Sequence, residues 1–295
     1  MKNDSSCLAR LLAAPLRLTE IMGLNLVLAT AAFMVAPPLH ASLVVTYAED
    51  SGAINSTLQN TSVINFTSLA TSGAGNYTNL TWTSPSLGTV GTIDQVYLQS
   101  ADQFGGANYT GSQPSGYYPV QSVPPYAVGW GAITPTSLTF TKPSAYFGLW
   151  WSAGDPFNTL TFYNGSTQLA QYNTSSLLGK LPSSYYGNPV YPGYKADGGE
   201  PFAFLNFYGM AGTDFTKVVF SNSAWSGFES DNWTVRQQAY GTLPGENPKT
   251  PPGVLVATVV TPTLDSLSAV PEPSTTLALG LLIMSGLSMR SRRRA

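Results

Sequence analysis

Between Ser42 and Tyr240, apolar residues recur at every second position in short runs. Val96 and Leu98 alternate with Gln95, Tyr97 and Gln99, and Leu160 and Phe162 alternate with Thr161 and Tyr163. Similar runs occupy Leu43–Tyr47, Ser137–Thr141, Tyr146–Trp151, Ala203–Tyr208, Phe215–Phe220 and Trp233–Gln238. A period of two puts alternate side chains on one face, so the pattern predicts antiparallel strands that each bury one side. Asn164-Gly165, between two such runs, is the clearest hairpin turn. No helical stripe is sustained and no segment repeats. Roughly ten strands in about 200 residues predict an all-β body over residues 42–240: a single antiparallel β-sandwich, jelly-roll-like.

Beyond Tyr240 the alternation stops. Residues 241–270 hold Pro244, Pro248, Pro251, Pro252 and Pro262 and read as a semi-extended linker. Within it, Val254-Leu255-Val256-Ala257-Thr258-Val259-Val260 has the composition of a strand.

The two ends carry continuous apolar runs. At the front, a polar and basic stretch precedes Ile21–Val35, then the helix-breaking Pro37 and Pro38, then Leu39-His40-Ala41. This three-part order predicts a secretory signal peptide over residues 1–41, cut by signal peptidase after Ala41. At the back, Val270-Pro271-Glu272-Pro273-Ser274 is followed by the apolar Thr275–Met289 and then by Arg290-Ser291-Arg292-Arg293-Arg294. The body is therefore expected to be flanked by an N-terminal signal helix and a C-terminal hydrophobic helix. Fifteen helical residues span roughly 22 Å against a hydrocarbon core of about 30 Å. Such a tail would hold a chain in the membrane transiently, with the arginines retained on the cytoplasmic side.

This tail, in this order behind a signal peptide, resembles the PEP-CTERM sorting domain. The resemblance covers residues 271–295. It implies recognition of Pro271, Glu272 and Pro273, with the apolar run and Arg290, Arg292, Arg293 and Arg294, by an exosortase. It further implies export across the inner membrane to the cell surface or an exopolysaccharide matrix. Phe147–Asp155 and Phe228–Asn232 resemble a group of exosortase-dependent surface proteins that has no assigned activity.

Composition narrows the chemistry. Only 9% of residues are charged, where about 25% is ordinary. Ser42–Val270 carries six Lys and Arg against twelve Asp and Glu, a net of −6. A weakly acidic body has no electrostatic footprint for nucleic acid. The one cysteine, Cys7, and the one histidine, His40, both precede the expected mature start. That excludes a disulfide framework, a cysteine nucleophile, a serine–histidine pair and the usual zinc sites from the body. No catalytic role is evident.

Three candidate sites stand out. Glu229, Asp231 and Asn232 precede the expected last strand and offer oxygen ligands for a structural Ca²⁺; the other reading is a turn in which Asp231 or Asn232 bonds its own backbone. Asp155, Glu200, Glu229 and Asp231 are the carboxylates from which a glycosidase pair would be drawn, though Asp155 and Asp197-Gly198-Gly199-Glu200 read most simply as turns. Tyr117, Tyr118, Tyr126, Tyr185, Tyr186, Tyr191 and Tyr194 lie in Gly/Pro/Ser-rich segments and suit sugar stacking, or else pack within loops. Trp150, Trp151 and Trp233 read as core. Within the body, nine Asn-x-Ser/Thr sequons begin at Asn55, Asn60, Asn65, Asn76, Asn79, Asn108, Asn164, Asn173 and Asn232. The leading expectation is an exported surface or matrix protein associated with polysaccharide; the alternatives are a carbohydrate-binding module and a secreted glycosidase.

Overall fold

The computed structural model describes residues 41–68, 78–110, 113–121, 135–191, 196–210, 212–223 and 227–261. The chain divides into two compact units, Met1–Pro38 and Leu39–Ala295, and every described residue belongs to the second.

Alternation becomes strand wherever it was read, and in places it was not. The described residues form β1 (Ala41–Tyr47), β2 (Ser62–Ile64), β3 (Thr78–Ser84), β4 (Gly88–Ser100), β5 (Tyr109–Thr110), β6 (Gln113–Pro114), β7 (Tyr117–Val120), β8 (Thr136–Ser144) and β9 (Tyr146–Ser152). They continue with β10 (Asn158–Asn164), β11 (Thr167–Asn173), β12 (Tyr186–Asn188), β13 (Ala196–Pro201), β14 (Ala203–Met210), β15 (Phe215–Asn222), β16 (Glu229–Arg236) and β17 (Val254–Thr261). A short helix, α1 (Thr174–Leu177), begins under a capping box made by Asn173 and Ser176 and runs on as a 3-10 turn, Leu178–Lys180.

Thirteen of these strands form one sheet in the order β11-β10-β15-β8-β4-β7-β16-β9-β14-β1-β17, with β2 added to β16 and β3 to β4. This corrects the expected jelly-roll sandwich, whose two layers would be separate sheets. The reason lies in β4, which is 13 residues long. Its first half, Gly91–Asp94, pairs with β8, and its last four residues, Tyr97–Ser100, pair with β7. Between them Gln95 adopts the left-handed backbone, at φ 57°. It is held there by its N–H donating to Asn79 Oδ1 and its carbonyl accepting from Thr136 Oγ1. That bend carries one strand from one layer into the other, so the sheet curls over itself as an open half-barrel.

The interior between the curled layers is aromatic. Phe220 of β15 stacks on Trp233 of β16 at 4.3 Å, and Phe162 of β10 meets Phe207 of β14 at 4.8 Å. Trp150, Trp151 and Trp233 are all buried, as read. One expectation fails in detail: β9 and β16 are buried at every position, not on one face. Their outer faces are covered by connections, which pack Trp150, Phe202, Phe204, Ala107 and Ala153 into a second, smaller core. Burial on both faces corrects the period-two reading of Tyr146–Trp151, whose residues are apolar at nearly every position.

The Pro-rich stretch after Tyr240 is a turn followed by a strand. Arg236, wholly buried, forms a two-pronged ion pair with Glu246, which also accepts the N–H groups of Gly241 and Leu243. Val254–Thr261 then becomes β17 and pairs antiparallel with β1.

The flanking helices expected from the terminal runs fall on residues 1–40 and 275–289, outside the described residues, as do the sorting residues Pro271, Glu272, Pro273, Arg290, Arg292, Arg293 and Arg294. Among the described residues no helix is long and apolar enough to cross a membrane. That finding corrects the expected transmembrane helix, the transient membrane partnership built on it, and the export-and-surface destination that required it. Physically, the fifteen-residue run is shorter than a bilayer core requires. Ala41, the expected cleavage position, is the first residue of β1, opposite Thr261.

Candidate functional site at the acidic end of the sheet

Where β9 finishes, β14 and β16 begin, and their pairing sets Glu229 opposite Ser152 and Ala203 opposite Trp151. Four short segments meet there. The connection after β9 carries Asp155 and the exposed Phe157, 49% accessible. Strand β13 carries Asp197 and Glu200, and β16 opens with Glu229. The turn after β4 carries Asp102 and Phe104, the latter 36% accessible.

The geometry of β13 is the least regular. Tyr186 pairs with Pro201 and Asn188 with Ala196, so Asp197-Gly198-Gly199-Glu200 stands opposite the single Gly187. Four residues against one make a protruding bulge, with Asp197 in the left-handed region at φ 61°. Asp197 and Glu200 therefore flank the base of the bulge, close enough for the charge of one to act on the other. The Gly154 N–H donates to Pro201 O at 3.1 Å and draws the β9–β10 connection alongside, which adds the charge of Asp155 to the surroundings of Glu200.

The electrostatics follow from crowding acids together. Burial, then Asp197 and then Asp155, push the Glu200 carboxyl up to about 8. Glu229 is buried and is pushed well above the carboxylate range, first by that burial and then by Asp155, Glu200 and Asp102; its own backbone N–H opposes the shift. Glu229 Oε2 has no hydrogen-bond partner among the described residues. Both groups therefore favour the protonated form more than a free carboxyl does, because a charge without a cationic partner is costly to bury.

Asp102, which the sequence did not single out, organises its own turn. Its Oδ1 accepts from the Tyr118 hydroxyl at 2.8 Å and the Phe104 N–H at 2.9 Å, and its Oδ2 from Gln99 Nε2 at 2.7 Å. Tyr118 is buried, and burial followed by Asp102 raises its hydroxyl far above the tyrosine range. No local motif links residues sixteen apart in sequence, so only the β4–β7 pairing reveals the contact.

Of the residues expected to hold calcium, Glu229, Asp231 and Asn232, the last two make hydrogen bonds to the surrounding chain. Asp231 is fully buried, with Oδ2 accepting from the Ala107 N–H at 2.9 Å and Oδ1 from the Asn232 N–H at 2.7 Å. Its pKa is raised to about 7 by burial, against those two donors. Asn232 lies at a bulge, φ 49°, and gives its amide to Ile54 O at 2.8 Å. Among the described residues no three acidic, histidine or cysteine side chains converge to hold a metal.

Of the carboxylates considered for hydrolysis, Asp155 and Glu200 come together and Asp231 stands apart. Of the tyrosines, Tyr118 and Tyr185 are buried, Tyr117, Tyr186 and Tyr191 are half-buried, and Tyr126 and Tyr194 lie outside the described residues. Among the sequons, Asn55, Asn60, Asn65, Asn79, Asn164 and Asn173 are exposed, Asn108 is half-buried and Asn232 is buried, while Asn76 lies outside the described residues.

What the arrangement offers is a set of crowded carboxyl groups on connections that also carry the exposed Phe104 and Phe157. Compared with family models, with curated proteins and with solved structures, the chain matches none.

Proposed function

We propose that this protein is a carbohydrate-binding β module whose ligand site is the acidic end of the sheet. The observation that carries the reading is the crowding of Asp155, Asp197 and Glu200 where the connection after β9 also carries the exposed Phe157, two residues beyond Asp155. A sugar presents apolar C–H faces and a ring of hydroxyls, and an exposed aromatic with adjacent carboxyl groups complements both. Glu200 in its acid form both donates and accepts, as a hydroxyl partner must. The antiparallel half-barrel is compatible with such a module. The test is binding to a panel of soluble polysaccharides by affinity electrophoresis and calorimetry. One glycan class is expected to bind, and Phe157→Ala to weaken it about tenfold, the loss of roughly 1.4 kcal/mol of ring contact. Phe157 is exposed, so the variant keeps its fold. No binding across the panel, or binding indifferent to Phe157, would reject the reading.

The likeness of residues 271–295 to a PEP-CTERM signal is a separate proposal, carried by the order of its three parts alone. The intact mass of the chain recovered from its host tests it, and a terminus still at Ala295 would tell against it.

A further inference from the structure

We propose that Asn164 is a site of spontaneous covalent modification, in which the Gly165 backbone nitrogen attacks the Asn164 side chain, and that the Thr216 hydroxyl sets its rate. Asn164-Gly165 is the chain's one Asn-Gly pair. Asn164 closes β10 and pairs with Thr167, so Gly165 and Ser166 make a two-residue hairpin loop, and all four residues are exposed. Gly165 takes the left-handed backbone at φ 57°, and a Cβ placed on it would meet no atom within 4 Å. The loop is therefore open, and glycine brings no side chain to block the approach of its nitrogen to Asn164 Cγ. One contact opposes that approach. The Gly165 N–H donates to Thr216 Oγ1 at 2.8 Å, across 51 residues of sequence. Thr216 is held there by β15, in which the next residue, Lys217, pairs with Tyr163 of β10, and its hydroxyl donates in turn to Tyr163 O at 3.4 Å.

The reaction balances with water as the only co-reactant. The Gly165 nitrogen forms a bond to Asn164 Cγ as the Cγ–Nδ2 bond breaks, and the proton of the Gly165 N–H leaves with Nδ2 as ammonia. Water then opens the succinimide ring. Addition at Cγ breaks the new bond to nitrogen and gives aspartate. Addition at the Asn164 main-chain carbonyl breaks the peptide bond instead and gives isoaspartate, with the chain rerouted through Cβ and Cγ. Nucleophile and electrophile are neighbours in one chain, so no enzyme has to bring them together. The nitrogen must turn toward Cγ and give up its proton, and donation to Thr216 holds back both. The consequence falls on β11. Among the described residues β11 ends the sheet and pairs with β10 alone. The two-residue loop sets the register of that hairpin, and isoaspartate lengthens the main chain within it. Leu169, Ala170 and Tyr172 of β11 are buried in that register. The hairpin thus records the age of the protein, with a tertiary hydrogen bond as its timer, whether or not the acidic end binds a glycan.

The test follows the full chain over weeks at neutral pH and body temperature by peptide mass spectrometry, with isoaspartate scored by an isoaspartyl methyltransferase. Asn164 is expected to convert to aspartate and isoaspartate while the chain stays folded. Thr216→Val is expected to convert about fivefold faster, the factor that one ordinary intramolecular hydrogen bond is worth. Thr216→Ser, which keeps the hydroxyl, should match the wild type. Asn55, an exposed asparagine before Ser56 and outside this hairpin, should convert at one rate in all three chains. If Thr216→Val folds poorly by circular dichroism, the wild type in urea takes its place, and Asn164 is expected to gain at least the same factor there. No conversion of Asn164 in the folded wild type would overturn the proposal. So would equal rates in the wild type and in Thr216→Val or its urea substitute, or a Thr216→Ser chain as fast as Thr216→Val. Acceleration of Asn55 alongside Asn164 in Thr216→Val would overturn it too, since that marks a general loosening of the fold.

Discussion

Arg236 lies wholly buried in β16, and its guanidinium is answered by a residue ten positions further on. Nη2 donates to Glu246 Oε2 at 2.9 Å and to Ala239 O at 3.1 Å, so one side chain closes the turn that leads to β17. The Arg236 guanidinium, followed by the N–H groups of Gly241 and Leu243, lowers the Glu246 carboxyl to about 2; partial burial acts against this. Removing the carboxylate strands a buried cation. Glu246→Ala is expected to cost about 3 kcal/mol at pH 7, the lower end of the range for breaking a buried pair, since Glu246 keeps some access to water. Because the folded pKa is depressed, this contribution is present above the ordinary value of 4.5 and is lost as pH falls through about 2. Urea denaturation of wild type and variant should therefore show a stability gap that is full at pH 7 and narrows between pH 4.5 and pH 2. A gap that persists unchanged into acid would mean that the pair is not its source.

At the scale of the element, β4 decides the architecture. Its apolar positions, Val90, Ile93, Val96 and Leu98, are all buried, but the spacings from Val90 to Ile93 and from Ile93 to Val96 are both three rather than two, and the ladder to β3 shifts register at each. A regular strand would put Val96 on the outer face. The left-handed turn at Gln95 absorbs the extra residue and returns Val96 to the interior, just where the strand changes partner. Gln95 itself is exposed, so substitution there tests the backbone alone. Gln95→Val is expected to lose about 1–2 kcal/mol, the cost of a β-branched residue in the left-handed region, while Gln95→Gly should stay within about 0.5 kcal/mol of the wild type. Chemical denaturation of both variants measures it. Equal losses would show that the Gln95 side chain, not its φ, matters.

At the scale of the molecule, the first and last described strands lie side by side. β1 takes β14 on one flank and β17 on the other, so the sheet is completed by residues 254–261. The Thr46 hydroxyl donates to Pro252 O at 2.6 Å and secures the approach, and Val256 and Ala257 pack against the main core. A chain ending after Thr261 is expected to melt at the wild-type temperature. One ending at Gly253 exposes the edge of β1 and should melt several degrees lower, at about 2–4 °C per kcal/mol lost, with a tendency to associate through the bared edge. Thermal melts followed by circular dichroism, with light scattering, distinguish these outcomes. Identical melting of the two truncations would show β17 to be dispensable.

Much of the body was written into the chain itself. Period-two alternation, the Asn164-Gly165 turn and the lack of any helical stripe are local signals, and local strand formation follows from them. The strand character of Val254–Val260 and the buried tryptophans of 150, 151 and 233 were legible for the same reason. Tertiary structure alone decided the rest. The single curled sheet depends on β4 changing partner from β8 to β7 at Gln95; the apolar spacing marks an irregularity there but not the change of partner. Burial of β9 and β16 on both faces depends on distant connections folding over them. The candidate site depends on segments about 45 residues apart in sequence, Asp155 against Asp197 and Glu200, brought together by strand register and a bulge. A carboxylate in sequence is only a residue type; whether it caps a turn or is held toward its acid form is set by burial and by the charge of its neighbours, and those exist only once the chain has folded.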